Sequence, residues 1–172
     1  MFQPGTVIAD KYRVERCLGS GNMGLVFEAT HLILRQRVAL KVLHPERRTV
    51  PGAAERFLRE ARAASRLRTQ YVARVFDMGE TDAGLVYMAM EFLEGESLSE
   101  RIEARGRLQG HHIVGIVLQL LEGLSAAHQA CIGLIKLPHD QHGIETHGGM
   151  IVWIAGPARR FRIGDFHQQI LA

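Results

Sequence analysis

A short glycine-rich segment, Gly19-Ser20-Gly21-Asn22-Met23-Gly24, restricts the folds open to this 172-residue chain more than any other feature. YRVERCL precedes it and LVFEAT follows, and both alternate apolar and polar residues with the two-residue period of a half-buried strand. Three glycines in a turn are weak evidence by themselves, because many turns need only their backbone freedom. The following residues are more telling. A dinucleotide fingerprint opens a helix directly after its glycines, whereas this segment runs into a second strand and so reads as a hairpin. Such a hairpin is able to lay backbone N–H groups against phosphate oxygens, since no side chain bars the approach.

A third strand, RVALKVL, carries a lysine inside an apolar run, Val38-Ala39-Leu40-Lys41. Lysine is scarce: Lys11, Lys41 and Lys136 are the only three among 21 basic residues. A lysine within such a strand calls for an anionic partner, either a phosphate or a carboxylate. Residues 51–68 space Phe57, Leu58, Ala61, Ala64 and Leu67 for one amphipathic helix, with Pro51 placed to open it. Glu60 lies on that helix within a turn of positions that must face the sheet, and the helix phase favours it over its rival Glu55 as partner of Lys41. VARVFDMGE and AGLVYMAMEFLEG read as two further strands joined by a turn at residues 81–84, so a five-strand, one-helix unit closes near Phe92. SLSERIEARG follows as a short helix. Residues 111–128 form a longer one, apolar around most of its circumference, which that pattern expects to be buried.

Composition narrows the function classes. Hydrophobic residues make up 47% and charged residues 23%, a globular balance. The 21 basic residues exceed 18 acidic ones by only three and form no stripe, so the charge pattern gives no support for nucleic-acid binding. Cys17 and Cys131 fit no metal or redox spacing, and their usage points to a reducing compartment. The first residues lack the basic and apolar regions of a signal peptide, and the longest apolar stretch, residues 113–121, is interrupted by Gly115 and Gln119. The expectation is a cytoplasmic protein with no membrane partner. His139, His142 and His147, with Asp140 and Glu145 between them, match no common ligand spacing and read as solvated side chains.

The ordered run YRVERCLGSGNMGLVFEATH, RVALKVL, RFLREARAASRL and YMAMEFLEGESL resembles the small lobe and hinge of the eukaryotic-like serine/threonine protein kinases of bacteria, over residues 12 to about 130. The resemblance implies an α+β, protein-kinase-like fold: a five-stranded antiparallel sheet with one αC-type helix in residues 1–95, the first helices of a large lobe in 96–130, and an incomplete remainder. It also implies ATP as a ligand. The glycine loop, taken as Leu18, Gly19, Ser20, Gly21, Asn22, Met23, Gly24 and Leu25, would cover the phosphates. Lys41 would contact the α- and β-phosphates, with Glu60 orienting it. Val26 and Ala39 would roof the adenine, Met90 would be the gatekeeper, and the backbone of Glu91 and Leu93 would bond the adenine edge.

The resemblance weakens after Ala127-His128. The family continues into H-R-D-L-K-P-x-N, whereas an ungapped count here places Leu134, Ile135 and Lys136 at the His, Arg and Asp positions and Gln141 at the Asn. A lysine in place of the aspartate that handles the substrate hydroxyl's proton inverts the local charge. The same count puts Gly156-Pro157-Ala158 at the metal-binding D-F-G, which leaves magnesium in doubt; an insertion would instead bring Asp165, in Gly164-Asp165-Phe166-His167, to that place. Residues 131–172 are therefore expected to be a degenerate and poorly ordered catalytic-loop and metal-loop region, without an activation segment. Phosphotransfer would be impaired or absent, unless Asp140 or Asp165 replaces the lost carboxylates. The alternative is a pseudokinase-type interaction module, or a gene fragment, docking on another kinase or protein through helix 111–128, whose apolar surface is left exposed without the neighbours that normally cover it. A product that does not fold stably is a further possibility.

Overall fold

The structure is a computed structural model that describes residues 2–21, 23–129, 152–155 and 160–163. In chain order the elements are β1 (Val7–Ile8), β2 (Tyr12–Ser20), β3 (Gly24–His31), β4 (Gln36–Leu43), a 3-10 turn (Pro45–Thr49), α1 (Ala53–Ser65), β5 (Val75–Glu80), β6 (Val86–Glu91), α2 (Leu98–Arg105), α3 (Gly110–Gln129), β7 (Val152–Ala155) and β8 (Arg160–Ile163). They divide into two compact units, Met1–Ser65 with Ala73–Leu93, and Arg66–Val72 with Glu94–Ala172.

The first unit is an antiparallel sheet in the order β1-β2-β3-β4-β6-β5, with α1 against β5 and β6. It has six strands where the sequence pattern gives five. The extra one, β1, is only two residues long and pairs with β2 because Ala9 and Asp10 both take positive φ (52° and 54°) and reverse the chain. That turn contains no glycine, so nothing in the pattern announces it. Strand alternation sorts the side chains onto two faces. Tyr12, Val14, Leu25, Phe27, Ala29, Val38, Leu40, Val42, Tyr87 and Ala89 form one apolar cluster, with Phe2 packed against it. Val26, Glu28, Ala39, Lys41, Met88 and Met90 belong to the opposite face.

A polar knot tightens this unit. The Asp77 carboxylate accepts from the Tyr12 hydroxyl (2.9 Å) and from the Lys11 ammonium (3.2 Å). Burial pushes the Asp77 carboxyl up, but the Tyr12 and Lys11 hydrogen bonds outweigh it and its pKa falls below the ordinary value. Burial, and then the Asp77 bond, raises the Tyr12 phenol, while the Asp77 bond raises Lys11.

α1 begins at Ala53, later than the expected opening at Pro51, because Gly52 takes φ 75° and interrupts the helical path. Its buried positions are Ala53, Phe57 and Ala61, one stripe at four-residue spacing.

In the second unit, Ser97 caps α2: its hydroxyl accepts from the Glu100 N–H (3.1 Å) while the Glu100 carboxylate accepts from the Ser97 N–H, a capping box. Leu98 of α2 and Ile116 and Leu120 of α3 are partly buried, and Gly123 and Ala127 are buried. The rest of α3 offers apolar side chains to solvent: Ile113, Val114, Val117, Leu118, Leu121 and Leu124 are 41% to 58% exposed. An all-round apolar pattern measures the surface a helix offers for burial. Only one stripe of α3 has neighbours among the described residues. β7 and β8 form a two-stranded antiparallel ladder, with α3 against β7 and α2 against β8. The residues from Cys131 to Gln141, the histidines 139, 142 and 147, Gly156-Pro157-Ala158 and Asp165 lie outside the described residues.

Candidate nucleotide site

Cross-strand register assembles the site. Val26 on β3 lies directly opposite Lys41 on β4, Ala39 opposite Met90 on β6, and Lys41 opposite Met88. Directly opposed residues share a face, so four separate sequence features, Val26, Ala39, Lys41 and Met90, meet on one side of the sheet. All four are buried, with Lys41 only 8% exposed. The Lys41 ammonium lies 5.8 Å from the centre of the Phe57 ring on α1. Glu60 follows Phe57 by three residues on that helix and is half-buried, whereas Glu55 points to solvent. Helix geometry therefore favours Glu60 over its rival, since residues three apart are neighbours and residues two apart are not.

The glycine-rich segment closes the β2–β3 hairpin with the Gly21 N–H bonded to the Gly24 carbonyl (2.9 Å). Its glycines are not equivalent. A Cβ on Gly24 would lie 2.1 Å from the Val42 carbonyl oxygen, so here β3 and β4 approach too closely for any side chain, whereas a Cβ on Gly19 would meet nothing within 4 Å. Leu18, Ser20, Gly21 and Met23 line the hairpin without full burial, and Asn22 lies outside the described residues. Leu25 does not join the site through its side chain, which sits in the apolar cluster on the other face. At the far end of β6, Glu91 and Leu93 are half-buried, and the Glu91 N–H donates to the Arg74 carbonyl (2.8 Å).

Several contributors escaped the sequence reading. His44, directly after β4, places Nε2 3.1 Å from the Gly21 carbonyl and 3.4 Å from the Ser20 hydroxyl. Glu28 is clamped between Arg16 (2.7 Å) and Arg37 (2.9 Å), and the Arg37 guanidinium sits 4.2 Å from the Phe92 ring centre, which ties β4 to the segment after β6. Glu28 was legible in principle, because it keeps the two-residue alternation of Val26 and so had to share its face. His44 carried no periodic signal.

A glycine hairpin jammed against the strand that bears a buried lysine, roofed by apolar residues and flanked by a helix carrying a glutamate, defines the small lobe of a protein kinase. The protein kinase domain family matches residues 12–134, and the chain belongs to that family. Within it, the chain is similar to serine/threonine kinases of bacteria. It is 41% identical over 126 residues to the serine/threonine-protein kinase pkn3 of Myxococcus xanthus, covering 73% of this chain and 23% of that protein. It is 35% identical over 130 residues to the serine/threonine-protein kinase PknA of Mycobacterium tuberculosis, covering 73% of this chain and 30% of that protein. The crystal structure of the Mycobacterium tuberculosis PknI kinase domain superimposes with a TM-score of 0.69 at 28% identity, over 95% of this chain and 62% of that domain. The chain thus spans less than a third of the length of these two relatives.

Proposed function

We propose that this chain is a serine/threonine-kinase homologue that binds ATP on the Val26–Ala39–Lys41–Met90 face and transfers phosphate weakly or not at all. The observation that carries the reading is Lys41, a cation buried to 8% exposure beside a hairpin whose Gly24 admits no side chain. A buried ammonium is stabilised by the anions around it, and a polyphosphate beside the hairpin would add to them. In this reading the backbone of residues 19–24 covers the phosphates, Lys41 neutralises them, and Glu60 orients Lys41. Val26 and Ala39 cover the base and Met90 limits the space behind it. The Glu91 N–H is already used, so any bond from Glu91 to a purine edge goes through its carbonyl, with the Leu93 N–H as the complementary donor.

Magnesium, when bound, would neutralise phosphate charge. The ungapped count offers no ligand for it at Gly156-Pro157-Ala158; Asp165 would hold it only with an insertion that brings it to the metal-binding position, and it lies outside the described residues. Impaired transfer rests on the sequence: Lys136 stands where the ungapped count requires the aspartate that handles the hydroxyl proton.

The test is a thermal-shift titration with ATP, with and without magnesium, on the wild type and Lys41→Met. At a hundredfold excess over Kd, ligand adds about 2.7 kcal/mol of stability, which Lys41→Met should abolish. Binding unchanged by that substitution overturns the reading. The exposed face of α3 favours a second one, a module that docks on another kinase or protein, and that association would survive Lys41→Met.

A further inference from the structure

We infer that His44 is the positioning residue of the glycine-rich hairpin, a latch that holds the loop in its phosphate-covering shape before nucleotide arrives; the inference rests on the ATP-binding reading above. His44 touches the loop twice. Its backbone N–H donates to the Met23 carbonyl (3.2 Å), and its ring Nε2 lies 3.1 Å from the Gly21 carbonyl. A carbonyl only accepts, so Nε2 carries the hydrogen and the contact fixes the ring's tautomer. The Ser20 hydroxyl, 3.4 Å from the same nitrogen, lies close enough to share it.

The two contacts draw carbonyls of the loop toward the end of β4. In a planar trans peptide the N–H points opposite to its carbonyl. With the Met23 carbonyl turned to His44, the Gly24 N–H is turned away from β4. Fixing carbonyls on one side thus fixes the donors on the other, and those donors are what a polyphosphate reads in a glycine loop. The backbone contact would exist with any residue but proline at 44, since it lies one residue beyond the last β3–β4 pair, Gly24 with Leu43. The ring contact to Gly21 depends on the side chain, and it reaches the part of the loop that glycine otherwise leaves loose. Ordering the loop in advance removes a cost from the binding step.

The experiment compares the 172-residue chain as wild type, His44→Ala, His44→Gln and His44→Asn. Two readouts are taken: amide hydrogen exchange of residues 19–24 without nucleotide, and the Kd for ATP measured by competition with a fluorescent ATP analogue. A glutamine places its amide N–H near the Nε2 position, whereas asparagine is too short. We expect His44→Ala and His44→Asn to speed exchange in the loop but not in β4 or β6, and to weaken ATP about three- to tenfold, the loss of one ordinary hydrogen bond. His44→Gln should restore both. Loop exchange in His44→Ala equal to wild type overturns the latch, as does failure of glutamine to outperform asparagine. Wild type that binds no ATP while His44→Ala still loosens the loop overturns the nucleotide reading and leaves the latch standing. Faster exchange in β4 and β6 as well would mean that His44 serves the strand pairing, and overturns the latch too.

Discussion

Gly24→Ala separates a glycine kept for steric reasons from one kept for flexibility. The Cβ it adds would stand 2.1 Å from the Val42 carbonyl oxygen and 2.9 Å from the Val42 carbonyl carbon, where real Cβ atoms essentially never come within 3.0 Å. Both obstacles are backbone, so no rotamer change relieves the clash. Either the start of β3 lifts away from β4, or the Val42–Leu43 peptide shifts. Overpacking of this kind costs about 1–3 kcal/mol. With an m-value of about 1–3 kcal/mol/M, a loss of about 2 kcal/mol moves the urea midpoint down by roughly 1 M. Gly19→Ala is the internal control: its Cβ meets nothing within 4 Å and its φ lies outside the left-handed region. Reducing the freedom of the unfolded chain there should leave stability unchanged or raise it by about 0.4–1 kcal/mol. The two variants are compared by urea unfolding followed by circular dichroism. Gly24→Ala as stable as wild type, or Gly19→Ala the more damaging of the two, would refute the argument that strand approach holds glycine at position 24.

Asp77→Asn should flatten the acid side of the stability profile. The Asp77 pKa is lowered in the folded state, so its contribution is present above the ordinary carboxylate value of 3.8 and is lost as pH falls below it. Lys11 is half exposed, so the effect is of order 1 kcal/mol, read from urea midpoints between pH 2 and 6, about the window in which carboxylates titrate. Substitutions on α3 should divide by face: Leu118→Glu, at a 57% exposed position, changes stability by less than about 0.5 kcal/mol, whereas Ala127→Leu, at 0% exposure, costs about 1–3 kcal/mol. Thermal melts compare the pair, and sedimentation velocity shows whether Leu118→Glu reduces association. Equal costs at the two positions would contradict the one-sided packing of α3.

Much of the fold was written in local pattern. Period-two alternation located β2, β3, β4, β5 and β6, and four-residue spacing located α1, because each element buries one face and the period of burial is the period of the element. The glycine cluster and Lys41 were legible for the same reason, as exceptions to that pattern: glycines where side chains were expected and a charge where apolar residues were. β1 escaped because it is two residues long and its turn uses Ala9 and Asp10 without a glycine. The site was legible as a set of residue types but not as a place. Val26, Ala39, Lys41 and Met90 become neighbours only through the register of three strands, and a slip of one residue would send each to the opposite face.

The local sequence, then, determined which segments become strands and helices, which turn is free of side chains, and which strand buries a cation. The tertiary structure decided which features meet. It removed the Leu25 side chain from the site and brought His44 back to the loop that the sequence had left unsupported. It also left one face of α3 bare among the described residues. The physical reason is the same in each case: periodicity is encoded by near neighbours along the chain, whereas register, helix phase and the presence of a covering partner depend on contacts between segments far apart in sequence, which no local pattern records.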